Sequence, residues 1–201
     1  MKKILILVFA LALIGPGLFA QTTQGSLTFG GGFEYSSSKS DNVYGNVDYL
    51  TSTFQFSPNA GYFVADNLEV GLRFGISSGK TEYTGFDPTK TSSFSAGPYV
   101  RYYKFTSNDR FAFTGAVNVS FGSGKTTSTN TETKSGNLGL FIAPGFTYFL
   151  TERWGLDFQL QGIGFSSYDS NKDVDNNNQN TFTFGINSFS PSLGFRYYIA
   201  K

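Results

Sequence analysis

Beyond residue 20, apolar and polar residues alternate with a period of two along most of the chain, and this pattern predicts β-strands. The clearest example is 68–77, where large apolar residues hold the even positions. Its odd positions are charged, polar or glycine: Glu69, Gly71, Arg73, Gly75 and Ser77. We find eight such stretches, at about 25–35, 50–64, 68–77, 92–105, 111–121, 138–150, 154–165 and 181–199. Since successive side chains of a strand point to opposite faces, each predicted strand has an apolar and a polar face.

The connections between the predicted strands alternate in length. Short turns follow the second, fourth and sixth strands, at 65–67, 106–110 and 151–153. Long polar loops follow the first, third, fifth and seventh, at 36–48, 78–91, 122–137 and 166–180. Short turns on one rim and long loops on the other are typical of outer-membrane barrels. An even number of strands places both termini on the short-turn rim, which would face the periplasm.

Several predicted strands contain an irregularity. The seventh changes phase near Gly162, which predicts a β-bulge, and the eighth slips phase near Asn187. Prolines recur at matched places in the even-numbered strands, at Pro58, Pro98, Pro144 and Pro191. Because proline is disfavoured inside a strand, this recurrence predicts tolerated bulges there too.

Pairs of aromatic residues follow these prolines near the ends of the even-numbered strands. The pairs are Tyr62-Phe63, Tyr102-Tyr103, Tyr148-Phe149 and Tyr197-Tyr198. They predict a ring of aromatics at one level, as an interfacial girdle requires. We assign this girdle to Tyr62, Tyr102, Tyr148, Trp154 and Tyr197.

The alternation alone does not decide whether the apolar faces contact lipid or a protein core, because lipocalin-like barrels and β-sandwiches also alternate. The polar faces decide it. They carry charges in mid-strand together with much glycine, and such a mixture fills the narrow interior of an eight-stranded barrel. The predicted fold is therefore all-β, an eight-stranded antiparallel up-and-down transmembrane β-barrel with its apolar face toward lipid.

Six mid-strand charges form the candidate site. They are Glu34, Glu69, Arg73, Arg101, Asp157 and Arg196. Unpaired, each would carry a large desolvation cost inside the barrel, so we expect the three arginines to pair with the three carboxylates. The preferred interpretation is a plug that fills the barrel and makes it rigid. The alternative is a narrow, ion-selective path lined by charge.

Residues 1–20 have the pattern of a signal peptide. Lys2 and Lys3 precede an unbroken apolar run at 4–14, and Gly15-Pro16-Gly17 leads to a small residue, Ala20. A retained membrane helix is the alternative, but the run is shorter than the ~20 residues that a span needs. The predicted division is a leader at 1–20, cleaved after Ala20, and a barrel domain at 21–201.

Composition excludes several classes of function. The chain of 201 residues has no Cys and no His, so it has no disulfide, no Cys or His metal site and no Ser-His-Asp triad. It has 14% charged residues and a net charge of +1, which argues against a nucleic-acid partner. Aromatic residues make up 18% and glycines number 24, as suits a β protein with a large apolar outer surface.

Three motifs are weighed and set aside. SGKT at 78–81 and GSGKT at 122–126 resemble the end of a phosphate-binding loop, but Phe74 and Val119 occupy the positions of its first glycine. Asp169, Asp173 and Asp175 lack the Gly-centred spacing and closing Glu of a calcium loop. Glu69 and Asp157 are better explained as counter-ions than as an acid–base pair. We therefore expect no enzyme activity, cofactor or metal.

Two segments resemble a known family. PNAGYFVADNLEVGLRFG (58–75) and PSLGFRYYIAK (191–201) resemble the strand-turn-strand and the closing strand of small outer-membrane β-barrel domains of the OmpX and OmpA membrane-domain type. The family usually ends on an aromatic residue, whereas Ile199, Ala200 and Lys201 follow Tyr198 here. The resemblance implies location in the outer membrane of a Gram-negative bacterium and insertion by the barrel-assembly machinery. It implies no shared reaction.

The expected function is that of a non-enzymatic outer-membrane barrel with a structural or surface-interaction role through its four long extracellular loops. Its expected partners are outer-membrane lipid, the assembly machinery, and an extracellular ligand or host surface. A small ion-selective channel is the leading alternative, and an exported soluble β-barrel that carries an apolar ligand is the third.

Overall fold

The structure is a computed structural model, and it describes residues 21–43, 47–129, 131–160, 162–175, 177–184 and 192–200. The predicted leader at 1–20 lies outside these ranges. The strands are β1 (Leu27–Val43), β2 (Val47–Ala65), β3 (Leu68–Tyr83), β4 (Thr89–Phe105), β5 (Phe111–Ser128), β6 (Thr131–Phe149), β7 (Trp154–Gln159), β8 (Ile163–Asp169), β9 (Asn178–Thr183) and β10 (Ser192–Ile199). Within the described ranges, no helix is long and apolar enough to cross a membrane.

The strands close into a barrel of eight, in which every neighbouring pair is antiparallel, as the sequence predicts. β1 to β6 pair in chain order, β6 pairs with β7, β7 with β10, and β10 with β1. β8 continues the line of β7 along β6, and β9 pairs with β8. The seventh barrel strand is therefore β7 plus β8, and the eighth is β9 plus β10.

The bulge predicted near Gly162 is confirmed. Along β6, Gly145 pairs with Gln159 and Ile142 pairs with Ile163, so the seventh strand has one residue more than its partner between these points. The eighth strand has a larger offset, since Ser192 comes nine positions after Thr183, whereas their partners Gln159 and Gly164 are only five positions apart. The phase slip predicted near Asn187 itself lies outside the described residues.

The bulges predicted at the prolines are absent at two of the four positions. The register of β2 against β3 is the same before and after Pro58, and that of β4 against β5 is unchanged across Pro98. The ladder only lacks bridge partners beside each proline, because proline has no N–H to donate. At Pro144 the irregularity lies on the facing strand, at Gly162, and Pro191 lies outside the described residues.

The expectation of long irregular loops is wrong, because most of the residues concerned form extensions of the strands. The β3–β4 ladder continues out to the Thr81–Thr89 pair, and the β5–β6 ladder to Ser128–Thr131. Ser and Thr alternate through these segments, and Thr is well suited to strands, so pairing continues where hydrophobicity ends. In the fourth connection, the described residues 170–175 and 177 lie outside the strands.

The apolar faces point outward and the charged faces inward. Leu72 and Val100, in mid-strand, are 52% and 44% exposed, whereas Glu69 and Arg196 are 0% and 1% exposed. A belt of exposed Phe, Leu, Ile and Val surrounds the barrel, as a lipid-facing surface requires.

The short-turn end of the barrel is closed by an aromatic floor, which we define as Phe63, Tyr103, Phe149 and Tyr198, all fully buried with Ala112. Each is the second member of one of the four aromatic pairs. The predicted girdle includes only the first member of each pair, and the second member faces inward because neighbouring side chains of a strand alternate.

The segment 21–26 folds under this end of the barrel. Thr22 accepts a hydrogen bond from the Asn67 N–H (2.7 Å), and its hydroxyl donates to the Asn67 side chain (2.7 Å). Gln21 donates to the Thr151 carbonyl across the opening (3.2 Å). These bonds join two of the short turns and cover the rim.

A candidate functional site: the charge network inside the barrel

Glu69 stands at the centre of the network, on the inward face of β3. Its carboxylate accepts hydrogen bonds from Thr28 (2.6 Å), the Tyr103 hydroxyl (2.7 Å) and the Tyr99 hydroxyl. It also forms an ion pair with Nη1 of Arg196 at 2.5 Å. β1, β3, β4 and β10 thus meet at this one side chain.

Asp157, on β7, is the second anion. It pairs with Nη1 of Arg101 (2.5 Å) and Nε of Arg196 (2.8 Å), and accepts a hydrogen bond from Thr147 (2.6 Å). Arg196 therefore bridges the two carboxylates, and the network connects opposite sides of the barrel.

The network stabilises charges in a place that water hardly reaches. The side chains of Arg196 and Arg101 are 1% and 4% exposed, and that of Glu69 is 0% exposed. Removing such ions from water costs several kcal/mol each, and only close pairing with additional hydrogen bonds offsets that cost. The Tyr99 ring adds to the stabilisation of the charges, because the guanidinium carbons of Arg101 and Arg196 both lie 5.9 Å from the centre of the ring.

Glycine makes room for this cluster at two positions. A Cβ at Gly71 would lie 2.6 Å from the Tyr99 ring, and one at Gly61 would lie 2.6 Å from the Tyr99 hydroxyl, closer than real Cβ contacts come. Without these glycines, Tyr99 and Glu69 would not fit side by side inside so narrow a barrel.

Four of the six predicted residues belong to the network, and two do not. Arg73 donates to the Gln159 side chain (3.4 Å) and lies 5.8 Å from the centre of the Tyr99 ring, with no ion pair among the described residues. Glu34 lies on the wall of the cavity above, exposed, and likewise forms no ion pair there. The expected pairing of three arginines with three carboxylates is thus reduced to two arginines with two carboxylates.

The sequence analysis missed the uncharged members of the network: Thr28, Tyr99, Tyr103 and Thr147. Each has the same strand parity as the charges, so alternation carried the signal. All four were left out because the predicted site was limited to charged side chains.

The five residues assigned to the girdle all lie on the outward face near the short-turn rim. Tyr62, Tyr102 and Trp154 are 47%, 53% and 47% exposed. Tyr148 and Tyr197 are partly buried, and the Tyr197 ring lies 4.9 Å from that of Trp154.

The two SGKT segments and the acidic turn, which were set aside earlier, lie outside the lumen network. Both SGKT segments fall in regular strand, in the extensions of β3 and β5. In the acidic turn, Asp169 accepts a hydrogen bond from the Asn171 N–H (3.1 Å). No cluster of three His, Cys, Asp or Glu suited to a metal occurs among the described residues.

Comparison with solved structures finds small barrels of the same kind. The N-terminal β-barrel domain of Pseudomonas aeruginosa OprF aligns with a TM-score of 0.46 at 13% identity, covering 88% of this chain and 98% of that one. OprG of Pseudomonas aeruginosa aligns with a TM-score of 0.46 at 15% identity, covering 92% and 100%. Neisserial surface protein A aligns with a TM-score of 0.42 at 19% identity, covering 86% and 94%. A search of curated proteins found no match.

The sequence profile of the outer membrane protein beta-barrel domain matches residues 5–188, which is most of the chain. The match agrees with the closed barrel of eight antiparallel strands, the lipid-facing belt and the buried charges described above. The chain therefore belongs to the outer membrane protein beta-barrel domain family.

Proposed function

We propose that this protein is a non-enzymatic, integral barrel of the bacterial outer membrane with a structural or surface-interaction role. The role belongs to the end of the barrel formed by the β1–β2, β3–β4 and β5–β6 extensions, which we call the strand-extension rim. One observation carries the proposal: the lumen is closed by buried side chains, while the rim opposite the termini extends beyond the apolar belt. A closed barrel offers no path for solutes, so its exposed polar hairpins are the part available for contact.

Two layers support the closure of the lumen. The aromatic floor fills the short-turn end, with Phe63, Tyr103 and Tyr198 all at 0% exposure. Directly above it, Arg196 and Glu69 fill the width of the barrel at 1% and 0% exposure. Both carboxylates of the network already accept several hydrogen bonds, which leaves neither poised for acid–base chemistry.

The proposed partners follow from the surfaces. The apolar belt contacts outer-membrane lipid, and the barrel-assembly machinery inserts the chain after export by the leader. The β1–β2, β3–β4 and β5–β6 extensions are rich in Ser, Thr and Lys, and they suit a polar extracellular ligand or host surface.

A planar-bilayer recording tests the closed lumen. We expect the wild-type barrel to give no steady conductance, because the floor and the network block the path. The double variant Phe149→Ala with Tyr198→Ala opens the aromatic floor but leaves the charge network in place. It is the matched control, because its conductance shows what a partly opened lumen gives. Reproducible wild-type channels whose size changes with Arg101→Gln would contradict the closed barrel.

Shortening the hairpins tests the surface role. Connecting Ser77 to Ser93 through a two-residue turn removes the β3–β4 extension at an existing cross-strand pair. We expect the barrel to fold normally, because the extension lies above the apolar belt, and cells displaying it to attach less to a cultured epithelial monolayer. The surface role would be contradicted if cells attached as well after all three extensions were shortened as they do with the full-length barrel.

A second function is supported by a cavity above the network. It has a volume of about 560 Å³ and is lined by Arg73, Asp157 and Glu34 among others, so charged groups face an open upper lumen. If the network opens, this cavity becomes the vestibule of a narrow, ion-selective path. The recording above distinguishes the two functions.

A further inference from the structure

The SGKT motif that the sequence repeats has the same position on two strands. In β3 it occupies 78–81 and in β5 it occupies 123–126, so Lys80 and Lys125 each follow the last large apolar residue of the outward face by four positions. Those apolar residues, Ile76 and Phe121, are 49% and 58% exposed.

The partner strands β4 and β6 repeat the spacing in the opposite chain direction. Lys90 precedes Phe94 by four positions on β4, and Lys134 precedes Leu138 by four positions on β6. Phe94 and Leu138 are 50% and 42% exposed on the lipid-facing side. Four consecutive strands thus each place an exposed lysine four positions beyond an exposed large apolar residue, and we call Lys80, Lys90, Lys125 and Lys134 the lysine row.

Cross-strand register brings these charges together. Lys80 pairs directly with Lys90, and Lys125 pairs directly with Lys134. Opposite residues of an antiparallel pair stand ~5 Å apart at Cβ, and like charges there are destabilising. The row therefore favours a conformation in which anions lie between the lysines.

The chain itself supplies only part of that negative charge. Glu82 pairs with Lys80 (2.7 Å) and Glu132 pairs with Lys125 (2.6 Å), but both acids stand one outward position farther from the apolar belt. Lys90 and Lys134 form no ion pair with a described residue. The side of the row that faces the belt is thus purely basic.

The height of the row matches a lipid headgroup layer. Four residues of strand rise ~13 Å along the strand, which a tilt of ~40° reduces to ~10 Å of height. Headgroups occupy about 5–8 Å beyond the hydrocarbon on each side of a bilayer. A flexible lysine side chain reaches back over that remaining distance.

We propose that the lysine row binds the phosphate-bearing headgroups of the lipid leaflet at the strand-extension rim. The inference rests on the proposed membrane orientation, in which this rim lies opposite the termini. The lipid leaflet is preferred to a soluble polyanion because the basic side faces the belt and the acids face away from it. A headgroup phosphate between two paired lysines removes their repulsion and fixes the barrel at one depth.

Lipid retention in native mass spectrometry tests the row with two lipids of identical chains. The full chain, folded in zwitterionic micelles, is titrated with dimyristoyl phosphatidic acid or with dimyristoyl phosphatidylcholine. Each lysine near a charged surface contributes about fivefold in affinity. We expect wild type to prefer phosphatidic acid by at least about tenfold, and Lys90→Gln with Lys134→Gln to lose most of that preference.

Two matched variants locate the effect. Lys90→Arg with Lys134→Arg keeps the charges and is expected to keep the preference. Lys104→Gln with Arg153→Gln removes two charges near the short-turn rim and is expected to stay within about twofold of wild type. Faster electrophoretic mobility of the unboiled than of the boiled sample shows in every case that the barrel has formed. A variant's lipid preference is compared only when it has folded, and a wild-type chain that forms no barrel counts against the proposed function instead.

Three outcomes overturn the inference. The first is equal retention of the two lipids by wild type. The second is an unchanged preference in the Lys90 and Lys134 glutamine variant. The third is tighter binding of soluble heparin than of phosphatidic acid with the same loss in that variant, which would assign the row to a soluble polyanion.

Discussion

At the scale of single residues, the barrel depends on buried charges that are stable only when oppositely charged side chains pair with them. Arg196 reaches both Glu69 and Asp157, and Arg101 depends on Asp157 for its ion pair. Loss of one anion leaves a buried guanidinium without its full set of ion pairs and destabilises the fold. Loss of a charge that stands alone in an open cavity changes the stability of the fold little. The two cases are available in this chain as Asp157 and Glu34.

We predict that Asp157→Asn destabilises the folded barrel by about 3–5 kcal/mol. The amide keeps the size of the side chain but leaves Arg101 without its ion pair and Arg196 with one carboxylate. Urea unfolding of the protein inserted in lipid vesicles measures the change. Glu34→Gln is the control and should stay within about 0.5 kcal/mol of wild type. Equal effects of the two substitutions would show that the network does not stabilise the barrel.

At the scale of elements, a strand needs glycine where a bulky interior side chain of the neighbouring strand lies against its backbone. Gly71 on β3 faces the Tyr99 ring of β4, while Gly115 on β5 has open space where a side chain would begin. The same residue type thus has a packing role in one strand and none in another.

Proline has a limited effect on the strands of this barrel. It interrupts the pairing of residues beside Pro58 and Pro98 without shifting the register of the strands.

The two glycines form a matched pair for mutation. Gly71→Ala is expected to cost about 1–3 kcal/mol, because the new methyl group displaces Tyr99 from Glu69. Gly115→Ala is expected to change the stability by less than about 0.5 kcal/mol. Unfolding midpoints in the same vesicles compare them, and a harmless Gly71→Ala would mean that the lumen is packed more loosely than described.

At the scale of the whole molecule, closure of the sheet gives the backbone N–H and C=O groups hydrogen-bond partners. The outer face of the sheet contacts lipid, and the inner face fills the lumen. At the level of β10, each strand of the ring formed by β1 to β7 and β10 pairs on both sides, so this part of the barrel can stand in hydrocarbon. The strand extensions continue the same ladder into water, and there the outward positions change from Phe and Leu to Ser, Thr and Lys.

This architecture predicts a barrel that resists dodecyl sulfate until it is boiled. The unboiled sample should migrate faster on electrophoresis than the boiled one, because the closed ladder opens only as a unit. A chain unfolded in urea before loading is the control and should show a single, slower band. Identical mobility of boiled and unboiled vesicle samples would contradict an inserted barrel.

The sequence by itself determined the number of barrel strands, the facing of each side chain and the bulge near Gly162. All of these follow from a period of two that is visible in the local chain. The inward position of the charges was also readable, because Arg101 or Asp157 in mid-strand cannot face lipid. The aromatic pairs show how far this reasoning extends, since the same alternation places Phe63 and Tyr198 inside.

Only the tertiary structure decided which charges meet. Glu69 and Arg196 are adjacent because closure and strand stagger bring β3, β4 and β10 to one level, and stagger has no local signature in a sequence. The same stagger leaves Glu34 apart from Arg73. The length of the strands was likewise decided by pairing, because polar Ser and Thr segments stay in the ladder when a partner strand runs beside them.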